Sequence, residues 1–291
     1  MFFTGEINDL SGISLALIGV SGVGKTAMMA KLAYELSSSE LLPSLPVIVR
    51  FCGTSKGSAN GFELVTSICR QILLIFDRLD ELSTIPAAYD DLVTYFHKLL
   101  AEHAVILMID SIDQLTNENL ARSNLSFLRG VKPHRDTRII VSALPDEKDA
   151  DGKWIYCYGC DTKLAIRNVP RVVVRRLEES KAGEIKEMLS TILWEEHKMR
   201  PQEWQLELAA RQISVDPTAL YLRLAVFRVK DWVSSASEDE CLRSLPATVP
   251  ALIASIFEDL ESTYGEAFVR MTFRLLTYSR GGVSKQELED L

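Results

Sequence analysis

The chain carries, at residues 19–26, the run Gly19-Val20-Ser21-Gly22-Val23-Gly24-Lys25-Thr26. This run fits the pattern G-x-x-x-x-G-K-[ST], the phosphate-binding P-loop, which needs a strand before it and a helix after it. The apolar run 15–18 suits a buried strand, and residues 27–36 are good helix formers. The context therefore predicts a strand, a glycine loop and a helix, with a chance glycine-rich turn as the alternative.

The chemistry of a P-loop assigns a role to each part of this run. Glycines let successive backbone N–H groups point at phosphate oxygens, and the helix N-terminus adds partial positive charge. Lys25 is expected to reach the β- and γ-phosphates, which makes it the first candidate catalytic residue, and the Thr26 hydroxyl is expected to ligate Mg²⁺. The predicted nucleotide contacts in the run and just after it are Gly19, Ser21, Gly22, Val23, Gly24, Lys25, Thr26 and Ala27.

Composition places the chain among ordinary globular proteins. Of its 291 residues 47% are hydrophobic and 25% charged, and the formal net charge of -8 argues against nucleic-acid binding. The 5 cysteines are too sparse, and odd in number, for a secreted disulfide framework. The N-terminus lacks the pattern of a signal peptide, and no apolar run is long enough to cross a bilayer. We therefore expect a cytoplasmic protein without membrane contact.

Apolar strand-like runs alternate with helical patterns through the first part of the chain. Because βαβ units place helices on both faces of a parallel sheet, this alternation predicts an α/β fold with three layers and a five-stranded core. The runs are residues 15–20, 47–51, 105–109, 138–143 and 171–175.

Helical patterns alone follow residue 177. We expect Asp216 to cap the third of these helices, with Pro217 in its first turn. The run Ser284-Lys285-Gln286-Glu287 has the form of a capping box that opens a further helix, so we expect the chain to be a piece of a longer protein. The predicted helices span residues 181–197, 202–214, 217–232, 249–264 and 266–279.

These patterns predict three domains. They are a P-loop nucleotide-binding domain over residues 1–177, a helical lid over 178–265, and the start of a truncated winged-helix domain over 266–291.

A second candidate site follows the apolar run 105–109. Asp110 stands where the strand should end, and P-loop proteins need a carboxylate there to hold Mg²⁺ directly or through water. Asp113, three residues on, could orient or deprotonate the attacking water. The alternatives are a helix cap for Asp110, and a cap or surface acid for Asp113.

Together these motifs resemble the STAND class of P-loop NTPases and, within it, the NACHT group. The resemblance is strongest to NACHT and WD-repeat proteins, with nephrocystin-3 and the telomerase-associated NACHT protein as relatives. Four runs carry it, namely residues 17–26, 49–55, 67–72 and 109–115, with Ser111 as the small residue after the first acid. The run Asp216-Pro217-Thr218-Ala219-Leu220-Tyr221-Leu222 resembles the family's proline motif, and residues 275–284 resemble the start of its winged helix.

The resemblance implies further roles. It places Pro217 against the adenine or ribose of the nucleotide. It also makes Ser142 a candidate nucleotide contact, because Ser142 stands where many members have a sensor arginine after the fourth strand. Many members also follow the second acid with glutamate, whereas this chain has Gln114. Both departures imply slow hydrolysis.

The resemblance therefore implies a nucleotide-controlled signalling switch. It would bind ATP or ADP with Mg²⁺, hydrolyse ATP weakly, and couple nucleotide state to domain rearrangement, self-association and protein partners. The alternative is an AAA-type or origin-recognition-like ATPase that acts on DNA, which a salt-dependent DNA titration would separate from the switch.

Two smaller patterns are weaker. Cys157-Tyr158-Gly159-Cys160 is a C-x-x-C without the second pair that a zinc site needs, so a tight turn is the simpler interpretation. Residues 146–151 are rich in charge and are expected to form a solvated loop.

Overall fold

The computed structural model describes residues 12–38, 45–55, 57–148, 151–156, 159–177, 182–279 and 282–289. The chain divides into two compact units, Met1–Arg175 and Arg176–Leu291. The first boundary predicted from the sequence is residue 177, and the further division predicted at residue 265 stays a prediction.

The first unit is built on a five-stranded parallel sheet with the strand order β2-β3-β4-β1-β7. This confirms the predicted three-layer α/β fold of P-loop NTPases. A separate two-stranded antiparallel hairpin, β5 with β6, was not predicted. The strands are β1 Leu15–Ile18, β2 Val47–Phe51, β3 Ile106–Asp110, β4 Arg138–Ala143, β5 Glu147–Lys148, β6 Trp154–Tyr156 and β7 Arg171–Val173.

Helices cover both faces of this sheet. On one face α2 and α3 pack over the larger hydrophobic core, and on the other α1 packs against a smaller cluster that includes Met29 and Met108. Every residue of β3 is buried, because this central strand is covered on both sides. The helices of the unit are α1 Lys25–Ser38, α2 Gly61–Ile75, α3 Tyr89–Glu102 and α4 Cys160–Ile166; short 3₁₀ turns span Gly57–Ala59, Leu79–Thr84, Ile112–Gln114, Glu118–Leu120 and Ser126–Leu128.

Among its described residues the second unit is helical, with no strand, as predicted. Its core is apolar around the buried Tyr221, whose hydroxyl donates to the Pro246 carbonyl oxygen at 2.6 Å. The predicted capping box at Ser284 is confirmed, because the Ser284 N–H donates to the Glu287 carboxylate at 2.8 Å and the Glu287 N–H donates to the Ser284 hydroxyl at 3.2 Å. The helices are α5 Ala182–His197, α6 Glu203–Ile213, α7 Ala219–Val229, α8 Glu238–Ser244, α9 Val249–Tyr264, α10 Glu266–Tyr278 and α11 Lys285–Glu289.

The predicted start of α7 was wrong. Thr218, not Asp216, is the N-cap, and its hydroxyl accepts the Tyr221 N–H at 3.1 Å. Asp216 instead accepts the Val249 N–H at 3.3 Å, and the Pro217 carbonyl oxygen accepts the Leu177 N–H at 2.7 Å. These long-range hydrogen bonds hold Asp216 and Pro217 outside the helix.

No single helix in the described ranges combines the length and apolar character of a membrane span. Helices α8 and α9 have that length and apolar character only when they are counted together, and the two helices meet at a bend of 99°.

Candidate functional site

The loop between β1 and α1 has the backbone that its glycines permit. Gly22 and Gly24 have φ values of 80° and 100°, in the left-handed region that side chains disfavour. Gly19 is needed for a different reason, since a Cβ there would lie 2.7 Å from the Val174 carbonyl oxygen. The run therefore folds as the predicted tight loop between strand and helix, and the chance-turn alternative is wrong.

Lys25 begins α1 and turns back over the loop. Its Nζ donates to the carbonyl oxygens of Gly19 at 2.6 Å and Val20 at 3.1 Å, and the side chain is buried. Burial lowers the pKa of Lys25, while the charges of Asp113 and Asp110 act in the opposite direction. A buried ammonium held by two carbonyl oxygens can exchange them for phosphate oxygens, which are stronger acceptors.

The other residues predicted to contact the nucleotide differ in whether their side chains are exposed. Ser21, Thr26 and Ala27 are exposed, whereas the Val23 side chain is buried. Val23 can therefore meet a ligand only through its backbone.

Asp110 ends β3 and is buried beside the start of α1. Its Oδ2 accepts the Thr26 hydroxyl at 2.7 Å, and its Oδ1 accepts the Ser142 hydroxyl at 2.5 Å. The two predicted metal ligands, Thr26 and Asp110, are thus brought together although they lie 84 residues apart. Hydroxyl and carboxylate oxygens fit Mg²⁺, and the helix-cap alternative for Asp110 is wrong because its carboxylate caps no helix.

Ser142, near the end of β4, is hydrogen-bonded to residues at the end of β3. The side chain is fully buried, donates to Asp110 and accepts the Ser111 N–H at 2.8 Å. That bond also holds Ser111 in a left-handed conformation with φ of 57°. Ser142 therefore acts on the carboxylate, and the predicted contact with a nucleotide stays a prediction.

Asp113 is also buried, so the surface-acid alternative is wrong. Its Oδ1 accepts the Leu144 N–H at 2.9 Å, and its Oδ2 accepts the Gln114 side-chain amide at 2.7 Å. Asp113 thus joins the end of β3 to the end of β4. The role of Gln114 as a hydrogen-bond donor was not predicted, although its position next to Asp113 could have suggested it.

The described cysteines of the first unit, Cys52, Cys69 and Cys160, are buried and poorly suited to act as nucleophiles. Burial, with the charges of Asp110 and Asp113 adding to it, raises the pKa of the Cys52 thiol to about 12. Burial likewise raises the pKa of Cys160, whose thiol donates to the Arg122 carbonyl oxygen at 3.3 Å. Cys157 lies outside the described residues. In the parts of the chain that are described, no group of three or more His, Cys, Asp or Glu side chains could hold a metal ion.

A comparison with protein families identifies the first unit. Residues 14–150 match the family model of the NACHT domain. Over this range the chain is similar to the NACHT family. The P-loop and both acids, Asp110 and Asp113, lie inside the matched NACHT domain.

Curated relatives agree with this NACHT assignment. NACHT and WD repeat domain-containing protein 2 of Mus musculus is 28% identical over 99% of this chain and 16% of its own length. NACHT domain- and WD repeat-containing protein 1 of Homo sapiens is 27% identical over 95% of this chain and 17% of its own. Telomerase protein component 1 of Mus musculus is 25% identical over 93% of this chain and 10% of its own length. The chain thus spans about a sixth or less of the curated relatives it matches.

Solved structures show more distant likenesses. Domain III of the Thermotoga maritima replication initiation protein DnaA is 17% identical, with a TM-score of 0.45 over 78% of this chain and 81% of that one. The Aeropyrum pernix ORC1 protein, solved in complex with DNA, is 12% identical, with a TM-score of 0.47 over 96% of this chain and 70% of that one. At these TM-scores neither likeness assigns a function to the NACHT domain.

Pro217 belongs to the second unit, outside the matched NACHT domain. Its contact with a nucleotide stays a prediction.

Proposed function

We propose that the chain is the nucleotide-binding part of a signalling switch. In this proposal it binds ATP or ADP with Mg²⁺, hydrolyses ATP slowly, and couples the nucleotide state to the arrangement of its helical unit and to self-association. The observation that carries the proposal is the meeting of Lys25, Thr26 and Asp110 at one edge of the sheet. The NACHT assignment is consistent with it.

The binding chemistry follows from these residues. The loop N–H groups and the N-terminus of α1 would bind the β-phosphate, and the Lys25 ammonium would neutralise the β- and γ-phosphate oxygens. Thr26 and Asp110 would hold Mg²⁺, which supplies charge neutralisation on the phosphate oxygens when bound. Asp113 would accept a proton from the attacking water as the γ-phosphorus bond to the bridging oxygen breaks and ADP leaves.

Ser142 should set the orientation of Asp110 for the metal. We expect Ser142→Ala to weaken Mg²⁺-dependent ATP binding by about tenfold, because carboxylate ligands that lose a hydrogen-bond partner lose metal affinity. Metal-free ADP binding should stay within twofold of the wild-type value, roughly the scale of a surface substitution. Calorimetric titration with and without Mg²⁺ measures both affinities.

Ser14→Ala is a matched control for Ser142→Ala. The Ser14 hydroxyl accepts the Ile139 N–H at 3.2 Å, at the opposite end of the same strand β4. If Ser142 orients Asp110, Ser142→Ala should lose more Mg²⁺-dependent ATP affinity than Ser14→Ala. An equal loss of affinity in the two variants would mean that Ser142 only stabilises the strand.

Coupling between the units requires the nucleotide to contact their two arrangements differently. We expect Pro217 to supply one such contact, since its rigid ring has no N–H and can pack on a flat base. Pro217 is buried in the structure, and Pro217→Ala should weaken ADP binding because the contacts of its ring with the base would be lost. Pro250, an exposed proline in the first turn of α9, is the control. Equal ADP affinities in Pro217→Ala and Pro250→Ala would contradict the contact.

The nucleotide that the purified protein retains tests the switch most directly. Denaturation followed by ion-exchange chromatography identifies any nucleotide released, and tightly held ADP is the expected result. Release of no nucleotide, together with no calorimetric binding of ATP or ADP, would overturn the proposal. We further propose a cytoplasmic location and partner proteins rather than nucleic acid or membrane, in accord with the net charge of -8.

A further inference from the structure

Strand β2 forms one outer edge of the five-stranded sheet and pairs with β3. The Ile106 N–H donates to the Pro46 carbonyl oxygen at 2.8 Å, and the Cys52 N–H donates to the Asp110 carbonyl oxygen at 3.0 Å. Backbone groups alternate in direction along a strand, so the even-numbered residues of β2 bond β3. The odd-numbered residues therefore direct their N–H and carbonyl groups away from the sheet.

A row of outward backbone groups is a place where a strand of another chain can add. The opposite edge strand, β7, has 3 residues and follows Pro170, and both short length and proline oppose such pairing. Strand β2 is longer, with 5 residues in Val47–Phe51, and none of them is proline. The edge of β2 therefore needs a different protection.

The Arg50 side chain lies across this edge. Its Nη1 donates to the outward carbonyl oxygen of Val49 at 2.8 Å and to the Gln71 side-chain oxygen at 2.6 Å. Its Nε and Nη2 donate to the hydroxyl and the carbonyl oxygen of Ser67, each at 2.8 Å. All four acceptors are neutral, and together they hold the guanidinium between the edge of β2 and helix α2.

A second side chain occupies the next outward carbonyl group along the edge. The Thr54 hydroxyl donates to the Phe51 carbonyl oxygen at 3.1 Å. The outward carbonyl oxygens of Val49 and Phe51 thus both accept hydrogen bonds from their own chain. A strand from another chain would have to displace these donors before it could pair with β2.

We propose that Arg50 blocks the outer edge of β2 against pairing with a second copy of this chain. Strand β2 is apolar except for Arg50, and two such strands can pair about a two-fold axis to join two sheets into one. Each copy would bring its own Arg50 to the shared edge, where the two like charges oppose the pairing. The block does not depend on nucleotide binding, and it means that self-association of the native chain uses another surface.

Removal of the guanidinium tests the block. Arg50→Met keeps the apolar stem of the side chain but leaves the Val49 carbonyl oxygen open. It should lower the concentration at which the chain self-associates by at least about tenfold, the scale of one hydrogen bond gained between chains. Sedimentation velocity over a series of protein concentrations measures the change. Arg70→Met is the matched control, because Arg70 is exposed on the same helix α2, and its loss should leave self-association unchanged.

A proline at position 49 locates the surface that associates. The Val49 N–H points away from β3, so Val49→Pro removes no bond within the sheet but prevents a second strand from pairing. Adding Val49→Pro to Arg50→Met should therefore restore the self-association of the wild type. In Arg50→Met alone, amide hydrogen exchange in residues 47–51 should slow as the protein concentration rises.

The outcomes that contradict the block are equally specific. Self-association of Arg50→Met at the wild-type concentration would overturn it, as would association that survives Val49→Pro or that leaves exchange in residues 47–51 unchanged. If thermal melting shows that Arg50→Met does not fold, Gln71→Leu decides. It removes one of the acceptors that hold the guanidinium, so it should also favour self-association, and an unchanged concentration dependence would overturn the block.

Discussion

Lys25→Ala is expected to lower ATP affinity by at least about a hundredfold. Hydrogen bonds from a charged group contribute about 1.5–3 kcal/mol each, and Lys25 is placed to make one to each of two phosphates. The present partners of its ammonium, the carbonyl oxygens of Gly19 and Val20, show that the side chain already lies over the loop. Isothermal titration with ATP and Mg²⁺ measures the loss, and unchanged affinity would remove the P-loop assignment.

Lys31→Ala is the matched control for this substitution. Lys31 lies on the same helix, is 71% exposed and pairs with Glu35 at 2.7 Å, so its loss should leave ATP affinity unchanged. The pH dependence of ATP affinity gives a second measurement. Since burial lowers the pKa of Lys25, ATP affinity should fall with rising pH below 10.5, where an ordinary lysine titrates. Lys25→Ala should remove that dependence, because the group that loses its charge is gone.

The central strands β1, β3 and β4 could be predicted because they are largely buried. Strand β4 coincides with the predicted run 138–143. Buried parallel strands leave near-continuous apolar runs in the sequence, and those runs are a local signal. The P-loop could be predicted for a similar reason. Its glycines are close together in the sequence, and the loop conformation that they form is one that few other residues can adopt.

Elements fixed by distant contacts could not be predicted in this way. Residues 146–151 read as a solvated loop, and the exposed strand β5 lies within them. The Asp146 carboxylate accepts the backbone N–H groups of Gly159 and Thr162 at 2.9 Å each, and this bridge closes the segment containing the hairpin onto α4. No pattern in the sequence pairs Asp146 with residues this far along the chain. The wrong cap at Asp216 has the same origin, because its carboxylate binds Val249 instead.

In the candidate site, likewise, the residues could be predicted from the sequence but their hydrogen bonds could not. The sequence named Asp110, Asp113 and Ser142, and the structure brings the first and last within 2.5 Å. Which donor each carboxylate oxygen meets depends on how β3 and β4 lie side by side. The resemblance placed Ser142 where other members have a sensor arginine, but it could not show that the Ser142 hydroxyl donates to Asp110.

Asp110→Asn is expected to weaken Mg²⁺-dependent ATP binding by about tenfold to a hundredfold. The substitution keeps the size of the side chain and one oxygen acceptor but removes the negative charge, and a charged contact contributes about 1.5–3 kcal/mol. Metal-free ADP binding should change much less, because Asp110 reaches the nucleotide only through the cation. Thr26 would also lose its charged acceptor, so the proposed metal site would lose the charge of one ligand and the orientation of the other.

Asp136→Asn controls for the loss of one negative charge. Asp136 is an exposed carboxylate that precedes β4. It lies near the N-terminal ends of the strands, whereas Asp110 lies at their C-terminal ends. Its replacement should change neither Mg²⁺-dependent ATP binding nor metal-free ADP binding. The decisive quantity is the ratio of the two affinity losses in Asp110→Asn. A loss confined to the Mg²⁺ titration assigns Asp110 to the metal. Equal losses with and without Mg²⁺ would mean that the carboxylate holds the loop and β4 together, through Thr26 and Ser142, and has no part in binding the cation.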